Sequence, residues 1–217
     1  MNYQTVRTNM VESQVRTNKV TDPALIEALS NVSRELFVPA PLRGIAYVDE
    51  DLPLGEGRYL VEPMVLARLL QAAAPQPADR LLEIACGTGY ATAIAAHLAG
   101  QVVGVESVAA HARRARELLG QLKLANAEIV EAPIADGAPA RGPFNVILVT
   151  GAVADVPQAL CGQLADGGRL LAVIKRAAGL GQATLTLRTG ETFSRRILFD
   201  AATPMLPEFE PRESFVF

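Results

Sequence analysis

The sequence predicts an α/β domain: a central, largely parallel β-sheet flanked by helices, with a helical segment ahead of it. Three observations carry that expectation. After Asp79, short apolar runs alternate with helical stretches, the pattern of strand–helix–strand units. A turn containing Gly87 and Gly89 joins the first run to the helix that follows it. Before Asp79 the apolar residues fall at helical spacing instead.

The elements follow in order. Tyr3, Val6, Met10, Val11 and Val15 recur at i, i+3, i+7, i+8 and i+12, one face of a first helix. Thr21-Asp22-Pro23 supplies a cap and a first-turn proline for a second helix, whose inner face is Leu25, Leu29 and Val32. Residues 39–57 contain Pro41, Gly44, Pro53 and Gly55 and read as loop. A third helix begins at Pro63, with Val65, Leu66, Leu69 and Leu70 facing inward, and stops before Pro75 and Pro77. Then come strands at 80–85 (RLLEIA), 101–106 (QVVGVE), 128–131, 144–149 (FNVILV) and 169–174 (RLLAVI), the last preceded by the turn Asp166-Gly167-Gly168. Helices are expected at 89–98, 107–122 and 156–164. Residues 183–188 and 193–199 flank Thr189-Gly190-Glu191 and read as an antiparallel hairpin at a sheet edge. The tail, 203–217, contains three prolines and is expected to run extended. The expected layout is a helical cap over 1–78 and an α/β part over 79–217, in one domain.

Composition narrows the function classes. Half of the 217 residues are apolar and 20% are charged, which excludes a disordered chain. The net charge of −3 lacks the basic surplus with which proteins grip phosphate backbones, so no nucleic-acid partner is expected. Arg113, Arg114 and Arg116 read as a solvated helix face, and Asp49, Glu50 and Asp51 as a solvated turn. Cys86 and Cys161 form no C-x-x-C pair, and no run is long and apolar enough to cross a membrane. The expected location is therefore a reducing cytoplasm, with no membrane partner. His97 and His111 read as helix residues with surface or packing roles. No paired-histidine motif or cysteine cluster suggests a metal, and no G-x-S-x-G suggests a hydrolase.

The segment 82–90, Leu-Glu-Ile-Ala-Cys-Gly-Thr-Gly-Tyr, carries the chemistry. Glycines between a strand and a helix let the backbone turn tightly and bring free N–H groups against an anion. Glu106 ends the next strand, where a carboxylate can accept both hydroxyls of a ribose. Thr92 stands where the dinucleotide fingerprint needs its third glycine, which disfavours NAD. The pattern fits S-adenosylmethionine better, whose methionyl carboxylate needs loop N–H groups rather than a pyrophosphate cradle.

The chain resembles the protein-L-isoaspartate O-methyltransferase family over most of its length. Residues 10–16 (MVESQVR) are similar to that family's opening helix. Residues 32–39 (VSRELFVP) resemble its V-x-R-E-x-F-V-P signature, Ala46-Tyr47 and 51–55 (DLPLG) its A-Y…D-x-P-L/I-G stretch, and 164–170 (LADGGRL) its L-x-P-G-G-R-L. The resemblance implies a seven-stranded Rossmann-like methyltransferase fold with an N-terminal helical addition. It implies methyl transfer from S-adenosylmethionine to the α-carboxyl of isoaspartyl residues, a step of protein repair, or to a related protein, peptide or small-molecule acceptor. The implied cofactor contacts are Glu83, Ala85, Cys86, Gly87, Thr88, Gly89, Tyr90, Glu106, Ser107 and Pro133. The implied acceptor contacts are Tyr59, Leu60 and Val61. No residue is assigned a catalytic role, and the expected assembly is a monomer or a small homo-oligomer.

Three positions depart from the family pattern. Val61 stands where the family has the Ser of T-I-S-x-P. Ala85 replaces the first glycine of the loop, with the expectation that its backbone needs no positive φ. Ala132-Pro133-Ile134 aligns with G-D-G after the third strand. These departures motivate an alternative expectation, a catalytically silent S-adenosylmethionine-binding or interaction protein of the same fold.

Overall fold

The computed structural model describes residues 2–176 and 179–210. The N-terminal segment forms α1 (Tyr3–Met10), continued by a π turn at Val11–Val15 and a 3-10 turn at Arg16–Asn18. Helix α2 (Pro23–Asn31) begins at Asp22, whose side chain accepts the Leu25 N–H at 2.9 Å, as the cap sequence predicts. Residues 39–57 are not wholly loop. They contain a 3-10 turn at Ala40–Ile45 and β1 (Leu52–Gly55), which pairs antiparallel with β2 (Arg58–Leu60) as a separate two-stranded sheet. Pro53 and two glycines hide this hairpin in the sequence, although the alternate burial of Leu52 and Leu54 is a strand signature. Helix α3 (Pro63–Ala73) follows.

The central sheet holds β3 (Arg80–Ile84), β4 (Gln101–Glu106), β5 (Ala127–Glu131), β6 (Phe144–Val153), β7 (Leu164–Ile174), β8 (Gly181–Thr189) and β9 (Thr192–Ala201). Its order is β5-β4-β3-β6-β7-β8-β9, parallel through β7 and antiparallel at β8 and β9. Helices α4 (Tyr90–Ala96), α5 (Ala109–Gln121) and α6 (Gln158–Cys161) join the strands. The helix expected at 156–164 is only this single turn, because Leu164 already pairs with Phe144 in the sheet. Of the tail, 211–217 lie outside the described residues, while 203–210 form a strap bonded to β6 by Ala152 N–H to Pro204 O at 2.8 Å and Leu206 N–H to Ala152 O at 2.9 Å.

Successive strand residues point to opposite faces, so each strand feeds two apolar layers. Leu81, Val102, Leu148 and Leu171 share a layer with Leu29 of α2 and Leu66 and Leu70 of α3. Leu82, Ile84, Val103 and Ile147 share the other with Leu160 and Leu206. The order of parallel strands reverses beside β3, between β4 and β6, and ligands of such sheets sit outside the carboxyl ends at that point. The β3–α4 loop, the tip of β4 and the β1–β2 hairpin meet there.

Candidate functional site

The loop from β3 to α4 turns through three residues in the left-handed region: Ala85 (φ 62°), Gly87 (φ 53°) and Gly89 (φ 90°). The expectation for Ala85 is therefore corrected: its backbone does need a positive φ, and its methyl makes that conformation costly. Thr150 holds the loop in place, its hydroxyl within 2.9 Å of both Ile84 O and Ala85 O. At Gly89 even a methyl would come within 3.1 Å of Ala115 Cβ on α5, so glycine brings loop and helix together. Thr88 turns away from the cavity and donates to Phe37 O at 2.6 Å, tying the loop to the N-terminal segment.

Glu83 is fully buried between Thr92 and Thr150, and the Thr150 hydroxyl lies 3.0 Å away. Burial pushes its carboxyl up to about 8, against the pull of those two hydroxyls. Burial likewise raises the Cys86 thiol, which disfavours the thiolate.

Glu106 is the electrostatic centre. It is fully buried at the tip of β4 and takes three N–H donors. Gly87 N–H reaches Oε2 at 2.8 Å and Val108 N–H reaches Oε1 at 2.9 Å. The third comes from a residue that the sequence reading missed. Arg58 Nε lies 3.0 and 3.1 Å from the two carboxylate oxygens. The Arg58 Nη2 donates to Ser107 Oγ at 2.8 Å and to Glu208 Oε1 at 2.6 Å, and Nη1 donates to Glu208 Oε2 at 3.1 Å. Burial alone would lower the guanidinium, but the two carboxylates outweigh it and raise its pKa. Burial also opposes the charge of Glu208, yet its bonds to Arg58 and Ser107 hold it below the usual carboxylate range. No local pattern marks Arg58, because its partners lie 48 and 150 residues away.

On one side of this ion-pair network lies a small cavity of about 10 Å³. It brings Tyr59, Leu60 and Val61 together with Glu83, Ala85, Cys86 and Tyr90. On the other side a cleft of about 440 Å³ runs past Ser107, Pro133, Ile134 and Glu208. Pro133 and Tyr59 thus line different spaces.

The wall that carries Val61 hangs from Arg34, which is fully buried. Its Nε donates to Ala46 O at 2.7 Å and its Nη2 to Val61 O at 2.9 Å. Among the described residues Arg34 Nη1 and the Tyr90 hydroxyl are buried without hydrogen-bond partners. The acidic run is more than a solvated turn. Asp51 accepts Glu62 N–H at 2.9 Å and Asp49 accepts Met64 N–H at 3.3 Å, so both cap α3. Burial and those neighbouring carboxylates push Glu62 up to about 7. Arg114 and Arg116 pair with Glu117 and Glu131 on a solvated helix face, and His111 packs against Gly55 O at 3.2 Å.

The donor set suits a nucleoside with an amino-acid tail: loop N–H groups, a carboxylate at the tip of the second sheet strand and a cleft beside it. The carboxylate already carries Arg58.

Comparison with known proteins agrees with this arrangement. The sequence pattern of the family protein-L-isoaspartate(D-aspartate) O-methyltransferase (PCMT) matches residues 5–194. The chain is 38% identical over 193 residues to a protein-L-isoaspartate O-methyltransferase of Methylorubrum populi, covering 88% of this chain and 89% of that one. It is 39% identical over 165 residues to a protein of the same name from Methanoregula boonei, covering 76% of each. A solved protein-L-isoaspartate O-methyltransferase superposes with a TM-score of 0.80 at 23% identity, over 92% of this chain and 65% of that one. A Plasmodium falciparum chain assigned the same activity, solved with S-adenosyl-L-homocysteine, gives 0.78 at 19% identity over 96% of this chain and 99% of that one. These two structural likenesses establish the fold.

Proposed function

The chain belongs to the protein-L-isoaspartate(D-aspartate) O-methyltransferase family, and on that premise we propose that it is an enzyme transferring a methyl group from S-adenosylmethionine to a carboxylate, the α-carboxyl of isoaspartyl residues in altered proteins. The observation that carries this reading is the meeting of the left-handed glycine turn with Glu106, through the 2.8 Å bond from Gly87 N–H. The silent-protein alternative is not favoured, because the relatives matched across most of the chain are named as enzymes.

The cofactor's sulfonium supplies an already activated methyl electrophile. The protein's part is to align the acceptor and keep water out. An acceptor carboxylate is ionised at neutral pH, so no general base is required, and none of the residues around the cavity is needed as one. The β3–α4 turn would border the methionyl end, Glu106 would take the ribose, and Ser107 and Pro133 would border the base. Leu60 and Val61, both buried, give the acceptor side an apolar wall that excludes water, and Tyr59, 38% exposed, stands at its rim. Protein repair and a cytoplasmic location belong to the same proposal; the free, buried Cys86 and Cys161 suit a reducing compartment. Methyl transfer to an isoaspartyl peptide, measured against the same peptide with ordinary aspartate, tests the reading. Turnover confined to the isoaspartyl form supports it, and no transfer to either removes it.

A further inference from the structure

The cofactor cradle is closed by the protein's own side chain. We propose that Arg58 is an internal occupant of the ribose position, and that the cofactor enters only when the β1–β2 hairpin carries Arg58 off Glu106. The inference rests on the methyltransferase reading and adds an admission step to it.

A carboxylate offers about four acceptor positions. On Glu106, Gly87 N–H and Val108 N–H take one each, and the single Arg58 Nε–H lies across both oxygens. A pair of ribose hydroxyls, which must reach that same edge, is blocked until Arg58 leaves. Arg58 is 2% exposed, so this is a filled position and not a rim contact. The cleft beside Pro133 has about 440 Å³, while the cavity beside Ala85 and Val61 has about 10 Å³, room for little more than one water.

The hairpin is built as a separable piece. It forms its own two-stranded sheet, outside the seven-stranded one. Its turn, Gly55 (φ 96°), Glu56 (φ 52°) and Gly57 (φ 71°), lies wholly in the left-handed region. Leu54 lies over Gly87, where a methyl would come within 3.0 Å of its Cδ1. Pro207 of the strap lies so close over Gly57 that a methyl there would come within 2.4 Å of its Cγ. Glu208, one residue on, binds both Arg58 Nη1 and Nη2. The strap latches the hairpin, and the hairpin seats Arg58.

If the open form is a minor population, the apparent affinity for cofactor falls by that fraction. Calorimetric titration with S-adenosylhomocysteine reads it without turnover. Arg58→Gln should bind about tenfold or more tightly than the unaltered chain, and Glu208→Gln by a smaller factor in the same direction. Hydrogen exchange on the unaltered chain reads the movement directly, whether or not the variants fold: backbone amides of 52–60 should exchange faster when S-adenosylhomocysteine is added. Equal affinities for the unaltered chain and Arg58→Gln, or slower exchange of the hairpin on binding, overturn the admission step and leave the cofactor reading standing. No binding by the unaltered chain and none by a folded Arg58→Gln overturns both.

Discussion

The central strands and the β1–β2 hairpin meet at Glu106, yet they are held by opposite means. Strands β3, β4 and β6 are seated by side chains such as Leu81, Leu82, Val103, Ile147 and Leu148, all buried and apolar, in two continuous layers. Such packing is spread over many contacts and tolerates small losses. The hairpin depends at its tip on one guanidinium between two carboxylates, Glu106 and Glu208. A buried pair of that kind is weak evidence for net stability, but breaking one half leaves a charge stranded. The apolar layers make a fixed floor, and the polar clamp makes a closure that can be exchanged for a ligand.

The largest effect expected is on the clamp. Arg58→Met leaves Glu106 buried without its counter-charge and should lower unfolding free energy by about 3–5 kcal/mol. Arg58→Met with Glu106→Gln should recover most of that, because the fully buried charge is then gone and Glu208, 35% exposed, can turn to water. Urea denaturation of both variants measures the difference. A double variant as unstable as the single one would mean that the hairpin is seated by packing, like the strands, and the contrast would dissolve.

The proposed acceptor wall gives the next test. Val61 is 5% exposed and supplies no hydroxyl to orient a carboxylate. A hydrogen bond to an ionised group is worth about 1.5–3 kcal/mol, so Val61→Ser should raise methyl transfer to isoaspartyl peptide roughly 10- to 100-fold. An unchanged rate, measured at saturating cofactor, would show that alignment here comes from the wall's shape.

Glu83 sharpens the comparison from inside the strand layer, since it is a buried carboxyl on an otherwise apolar strand. Its folded-state pKa is raised to about 8 from 4.5. A raised acid favours folding fully below the unfolded value, and that contribution is lost as pH rises through the folded one. Stability should therefore fall between about pH 4.5 and 8 through this group, and Glu83→Gln should flatten that window. Thermal unfolding across the range measures it. A slope unchanged in Glu83→Gln would assign it to Glu62, which rises to about 7 in the neighbouring acidic group.

What was legible in the sequence follows the same division. The strands at 80–84 and 101–106, the Asp22 cap and the Pro63 start announce themselves through local pattern, because packing against a common core imposes local periodicity. The glycine turn and Glu106 were readable for the same reason: they sit at fixed places on a strand–turn–helix unit. The hairpin was not, since Pro53, Gly55 and Gly57 outweigh two buried leucines in four residues. Arg58 was not, because nothing within one element distinguishes it from a solvated arginine; its partners lie 48 and 150 positions away. The left-handed backbone of Ala85 leaves no trace in composition at all.

That residue carries the smallest effect and the cleanest test. Ala85 sits at φ 62°, where an L side chain costs about 1–2 kcal/mol. Glycine removes the strain but gains about 0.5–1 kcal/mol of unfolded-chain entropy to lose. The net expectation for Ala85→Gly is about 0.5–1 kcal/mol of added stability. Ala74, at the end of α3 with φ 44°, has a similar backbone far from the cleft, so Ala74→Gly should gain a comparable amount. The two must then part company on cofactor. Ala85 lines the cavity of about 10 Å³, so trimming its methyl should tighten S-adenosylhomocysteine binding severalfold, while Ala74→Gly should leave binding unchanged. Chemical denaturation and calorimetry on the pair separate backbone strain from cavity space. A loss of stability in Ala85→Gly would mean that its methyl packs usefully against the floor, and that the loop belongs with the strands rather than with the closure above them.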